Sequence, residues 1–233
     1  DQPRSRGLGD VYKRQAMLDA ATAVVDAHGA EVLRELIAQL EMSLDADNDA
    51  VTEAAVVLLG RAARHLAPED AHVRRVVDRL LDALRTPSEL VQEAVAACLP
   101  PLVRTAAVHG DVPAIVDQLF AELLHGASYA ARRGAAYGLA GVVAGCGVDS
   151  IRALRILPRL ADAIDDTTTS APRQGALMAY ETLAGTLRVL FEPYVGAILK
   201  HLLVCFGDAH ADVREATADT ARVPVSYTHL RAH

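Results

Sequence analysis

The 233-residue sequence predicts an all-α fold, a right-handed solenoid of about five stacked helix pairs behind one leading helix, and three observations carry that prediction. Small residues recur in register at Ala54, Ala94, Gly134, Gly175 and Ala216, separated by 40, 40, 41 and 41 positions. An independent apolar series, Leu36, Val76, Ile115, Ile156 and Ile198, keeps nearly the same period at 40, 39, 41 and 42. The composition is 52% apolar but only 4% aromatic with no Trp, dominated by helix-favouring Ala and Leu rather than strand formers.

A helix pair repeating every 40 residues or so is the signature of HEAT or armadillo-type arrays, in which each unit can bury its apolar stripe only against its neighbours. The stretch Tyr129 to Val148 shows the B helix of such a unit most clearly. From Gly134 to Val148 it has fifteen residues without a charge, with small residues at Gly134, Ala135, Ala136, Gly138, Ala140 and Gly141. A glycine inside a helix costs about 1 kcal/mol relative to alanine, so its repeated use here marks close approach by neighbouring helices. The run is too short for a membrane span, which needs about 20 residues.

The elements follow in order. One helix over 16–28 stops at Gly29, a suitable C-terminal glycine. The first pair is predicted over 30–44 and 50–66 around the polar turn 45–49, and the second over 69–85 and 88–107, with Ser88 as N-cap and Pro100-Pro101 expected to kink or split the last turns. The third pair occupies 112–125 and 128–146. The fourth spans 149–164 and 171–191 across the loop 165–172, whose Pro172 suits a first helical turn. The fifth opens at Pro193, runs to Phe206, turns through 207–212 and continues to Arg222. No polar-faced capping repeat is visible at either end, as expected of a window from a longer array. Residues 1–15 and 223–233 lack the periodic apolar positions and are expected to be non-native or disordered tails flanking an array at 16–222.

Formal net charge is −7, and all but two of the cations, Lys13 and Lys200, are arginines. Such a surface gives no general attraction to nucleic acid or anionic membrane. Cys98, Cys146 and Cys205 stand singly in apolar surroundings without a CxxC spacing, which fits a reducing compartment and a cytoplasmic location. No HExxH, P-loop, dinucleotide fingerprint or nucleophile elbow occurs, and Asp208, His210 and Asp212 lack the glycine and terminal glutamate of a calcium loop. No catalytic, cofactor-binding or metal-binding residue is therefore assigned, and a non-enzymatic scaffold is expected.

One polar feature repeats. Arg132, Arg173 and Arg214 fall two residues before successive small markers, with Arg133 beside the first, so stacking places them in a row near the first turns of B helices. They form either a structural ladder or part of a partner-binding or RNA-phosphate surface. Asp208 precedes Arg214 by six residues, Asp165 or Asp166 is available to Arg173, and the turn before Arg132 has no acid. Arg133, with no acid assigned, is the better candidate for surface contact.

The segments at 87–102, 129–148, 175–195 and 201–221 resemble the general control non-derepressible protein one family, in unbroken order from about Ala16 to Arg222. That resemblance implies a HEAT-repeat piece of a large, ribosome-associated translational activator of the initiation-factor-two kinase. It also implies a position near the region similar to elongation factor three, with an ABC-type ATPase and the ribosome as partners; separately, from the acidic body, no membrane and no direct sequence-specific nucleic acid are expected as partners. The alternative is a HEAT scaffold of another class, such as a transport receptor or a phosphatase or assembly subunit.

Overall fold

The structure, a computed structural model, describes residues 4–67 and 70–230; of the expected tails, 1–3 and 231–233 lie outside the described residues, as do 68 and 69 at the predicted start of the second pair. Among the described residues there is helix and turn but no strand. A leading helix α1 (Arg4–His28) ends where the Gly29 amide returns to the Val25 carbonyl at 2.8 Å. Five pairs follow: α2 (Leu33–Ser43) with α3 (Asp49–Ala62), α4 (Ala71–Ala83) with α5 (Glu89–Val108), α6 (Val112–His125) with α7 (Tyr129–Cys146), α8 (Ser150–Ala153) and α9 (Ile156–Asp165) with α10 (Ser170–Leu187), and α11 (Glu192–Cys205) with α12 (Ala211–Leu230). The chain is an all-α solenoid.

Local signals set most of these ends. Asn48 accepts from the amides of Ala50 and Val51, Asp70 from His72, and Ser128 from Ala131, each satisfying donors that a first helical turn leaves open. Ser88 occupies the N-cap position of α5, but its hydroxyl makes no capping bond; the Thr86 hydroxyl instead accepts from the Ser88 amide at 3.3 Å.

Two expected helix shapes are corrected. The fourth A helix does not run unbroken over 149–164 but divides into α8 and α9 at Arg155, which takes a left-handed conformation with φ 52°. Pro158 gives the reason: inside one continuous helix its ring would collide with the Leu154 carbonyl, whereas the restart at Ile156 puts it in a first turn. Pro100 and Pro101, by contrast, do not split α5, which continues to Val108. There α7 packs directly on the proline turn, Gly141 over the Ala96 carbonyl and Gly145 over Pro100, and the Arg104 guanidinium donates to the Gly145 carbonyl at 3.2 Å.

The B helices α3, α5, α7, α10 and α12 stack in sequence order, each on the next, and the most extensive packing joins α5 to α7 and α7 to α10. A single apolar core runs through the stack, from Val25 to Ala216. The register of small residues explains how closely the layers approach. A Cβ on Gly134 would strike the Leu84 carbonyl at the end of α4, and one on Gly175 would strike the Leu123 carbonyl near the end of α6. Both are contacts of a B helix with the A helix of the preceding pair.

Among the described side chains, Thr220 is the last buried one of α12 and Val25 the first buried apolar one of α1. Ordering a residue costs about 1–2 kcal/mol that only burial offsets. Removing residues 1–15 and 224–233 is therefore expected to leave the melting temperature unchanged; a fall of several degrees would show that the outer turns of α1 or α12 contribute to the core.

Candidate functional site

The structure extends the arginine row into a ladder of five residues. The position two before each small marker is occupied in turn by Thr52, Gln92, Arg132, Arg173 and Arg214, and each side chain donates to a backbone carbonyl of its own A–B turn. The acceptors are Ala46 (3.2 Å), Thr86 (2.7 Å), Gly126 (2.8 Å), Asp166 (2.5 Å) and Asp208 (2.6 Å). Thus the turn is held by a donor that reaches back six residues, seven in the fourth pair. A carboxylate in the turn is not needed for this, which is why Arg132 keeps its place in a turn without an acid.

Three rungs also reach the following pair. Gln92, completely buried, donates to Leu84 and to the Ala130 carbonyl of α7 (2.9 Å). Arg132 donates to the Gln174 amide oxygen at 2.6 Å. Arg173 grips Asp208 with two nitrogens, at 2.7 and 3.3 Å, while its third bonds Asp166 and Thr169 carbonyls. The Asp208 carboxylate thus belongs to Arg173 of the pair before it, and only its backbone carbonyl serves Arg214. Burial works to raise the Asp208 pKa, but hydrogen bonds from the Arg173 side chain and from His210 outweigh it and bring it down to about 2.

Arg133 is committed backwards. Its guanidinium donates to Gln92 (2.8 Å), Pro87 carbonyl (2.9 Å) and Glu89 (3.3 Å), and its Cζ lies 5.6 Å from the centre of the Tyr129 ring. Arg214 is exposed and, among the described residues, bonds only its own turn, at Asp208 and Ala209. Residue type hid Thr52, Gln92 and Gln174 from the row of arginines, and Asp208, expected to serve Arg214, gives its carboxylate to Arg173 instead. The signal that finds the first two is the register itself, two positions before each small marker.

Elsewhere the described residues bring together no three His, Cys, Asp or Glu side chains in a metal-ligating group, and no helix is long and apolar enough to cross a membrane. Cys98, Cys146 and Cys205 are free thiols, and burial pushes the Cys98 thiol up to about 11.

Comparison with known proteins adds a lineage to this architecture. The profile described as "Stalled ribosome sensor GCN1, HEAT repeats" matches residues 5–64, and that of "EF3 N-terminal HEAT repeat" matches 132–230. The chain is 45% identical over 225 residues, 94% of its length, to the human "Stalled ribosome sensor GCN1". The chain belongs to the GCN1 family. Its similarity extends to Arabidopsis thaliana "Protein ILITYHIA", at 40% identity over 95% of the chain, and to the Saccharomyces cerevisiae "eIF-2-alpha kinase activator GCN1", at 35% over 92%. In each case the chain spans 8% of the relative's length. Within the GCN1 family, then, the ladder and its stacked B helices belong to a stretch of HEAT array, and the match to the elongation-factor-three profile runs from α7, the B helix of the third pair, through the fifth pair.

Proposed function

We propose that this chain is a non-catalytic HEAT scaffold segment of a cytoplasmic, ribosome-associated translational activator that acts in the amino-acid starvation response. The observation that carries the proposal is the similarity to GCN1 proteins over 94% of the chain, on a fold made wholly of stacked helix pairs. A solenoid of this kind offers an extended surface for recognition, and its partners by resemblance are the ribosome and an ABC-type ATPase. In this scheme Arg132, Arg133 and Arg173 serve the geometry of the array, since each guanidinium is held by neighbouring turns, Arg132 through its two terminal nitrogens while its buried Nε meets no partner among the described residues. Contact with partners falls to other surface groups.

The test is a chimera in which this chain replaces the homologous segment of the yeast relative. Ribosome co-sedimentation, pull-down of the ABC-type ATPase and starvation-induced eIF-2-alpha phosphorylation are each expected to exceed those of the segment deletion. A chimera no better than the deletion in all three would overturn the proposal. Arg173→Glu is a poor probe of partner contact, because this residue is buried and its replacement reports on folding.

A further inference from the structure

A groove of about 460 Å³ opens on the B-helix face where α7 lies between α5 and α10, with Val223 of α12 at one side. Tyr137 and Ala144 of α7 form part of its floor, two helical turns apart. Seven residues at 1.5 Å each make that length about 10 Å. One wall runs from Glu93 to Pro100 of α5 and the other carries Glu181 and Gly185 of α10. Its two charged lining residues are both acids.

Two features of these walls are unexplained by the fold itself. Gly185 lies inside α10, where glycine is unfavourable, yet a Cβ there would meet nothing within 4 Å. The other B-helix glycines that line the stack, such as Gly134, Gly141 and Gly175, touch neighbouring backbone. Space above Gly185 is therefore open groove, kept clear at a cost to the helix. Glu181, half-buried on the same wall, accepts no hydrogen bond among the described residues, whereas Glu41, Glu89 and Glu122 are each met by an arginine. Burial first, then the nearby charges of Asp219 and Glu89, raise its pKa, so a cation at this point would relieve both. The neighbouring cations are engaged elsewhere: Arg133 with Glu89 and Pro87, Arg222 with Asp219 at 2.6 Å. Among the described residues Glu93 receives only the Tyr137 hydroxyl, at 3.3 Å, which that hydroxyl shares with Glu89 at 2.8 Å.

We propose that this groove docks a basic helical segment of a partner protein, about two turns long, with an arginine or lysine reaching Glu181 and Glu93 and small apolar side chains packing over Ala144 and Gly185. Charge complementarity selects that occupant: two acids on an otherwise apolar trough repel phosphate and attract a cationic side chain whose stem covers apolar surface. The docking surface goes beyond the ribosome-associated role and stands whether or not that role holds.

The probe is a fluorescein-labelled alanine-leucine helical peptide with arginines at i and i+4, compared with its glutamine and glutamate counterparts by polarisation against the 233-residue chain. The arginine peptide is expected to bind at least tenfold more tightly than either counterpart. Glu93→Gln with Glu181→Gln should erase that preference, and Gly185→Leu, which fills open space, should weaken binding at least tenfold with no fall in melting temperature. Equal binding of the three peptides, or full binding by Gly185→Leu, would overturn the proposal. So would tighter binding of a single-stranded RNA probe that Gly185→Leu abolishes, or a dimer of the chain that Gly185→Leu dissociates, since either outcome gives the groove a different occupant.

Discussion

Arg173→Ala is expected to destabilise the array by about 3–5 kcal/mol, the range for removing one partner from a buried ion pair. The Arg173 side chain is 7% exposed and that of Asp208 is 11% exposed, so truncation strands a carboxylate in a site that solvent barely reaches. It also strips the Asp166 and Thr169 carbonyls of the donor that holds the fourth turn. A urea titration at pH 7 should show the midpoint falling sharply while the slope stays constant. A midpoint within a few tenths of wild type would mean that water reaches the turn freely and that the pair contributes little.

The same pair predicts an acid-sensitive step. Asp208 has a folded pKa of about 2, below the ~3.9 of an unfolded aspartate. Its ionised form therefore adds stability that is fully present above about pH 4 and is lost as pH falls through the folded value near 2. Asp208→Asn removes that titration. Its stability should vary less between pH 4 and pH 2 than that of the wild type; identical profiles would place the acid response elsewhere.

Gly134→Ala is the second large effect. Alanine brings a helix-propensity gain of about 1 kcal/mol, but its methyl group would strike the Leu84 carbonyl, which is backbone and cannot rotate aside. Overpacking of this kind costs up to about 3 kcal/mol, so clash outweighs propensity and the net loss is about 2 kcal/mol, roughly 5 °C in melting temperature for a chain this size. Gly138→Ala should cost less. A Cβ there meets the ends of Leu84 and Leu119 at 2.6 and 2.7 Å, and side-chain ends can turn away. If Gly138→Ala proves the more damaging of the two, the α4 terminus yields more readily than its leucine packing.

The repeat was legible in the sequence because burial acts on residue size and polarity, which recur at a visible period. Ala54 to Ala216 and Leu36 to Ile198 therefore placed five pairs to within a few residues. The divided fourth A helix was not anticipated, although Pro158 carried the signal. The unbroken α5 could not be read locally, since what accompanies Pro100 is Gly145 from another repeat. The ladder was half legible for a related reason. Arginine is conspicuous, but the shared requirement is a donor aimed at a turn carbonyl, which Thr52 and Gln92 satisfy with different side chains. That Asp208 answers to Arg173 rather than to Arg214 depends on how the fourth and fifth pairs sit against each other.

Because Gln92, Arg132 and Arg173 each fasten a turn and also hold the next pair, a single repeat cannot melt without orphaning buried polar groups in its neighbour. Fraying from an end is penalised at every junction the ladder crosses, so the second to fifth pairs should exchange their slowest amides at one common rate.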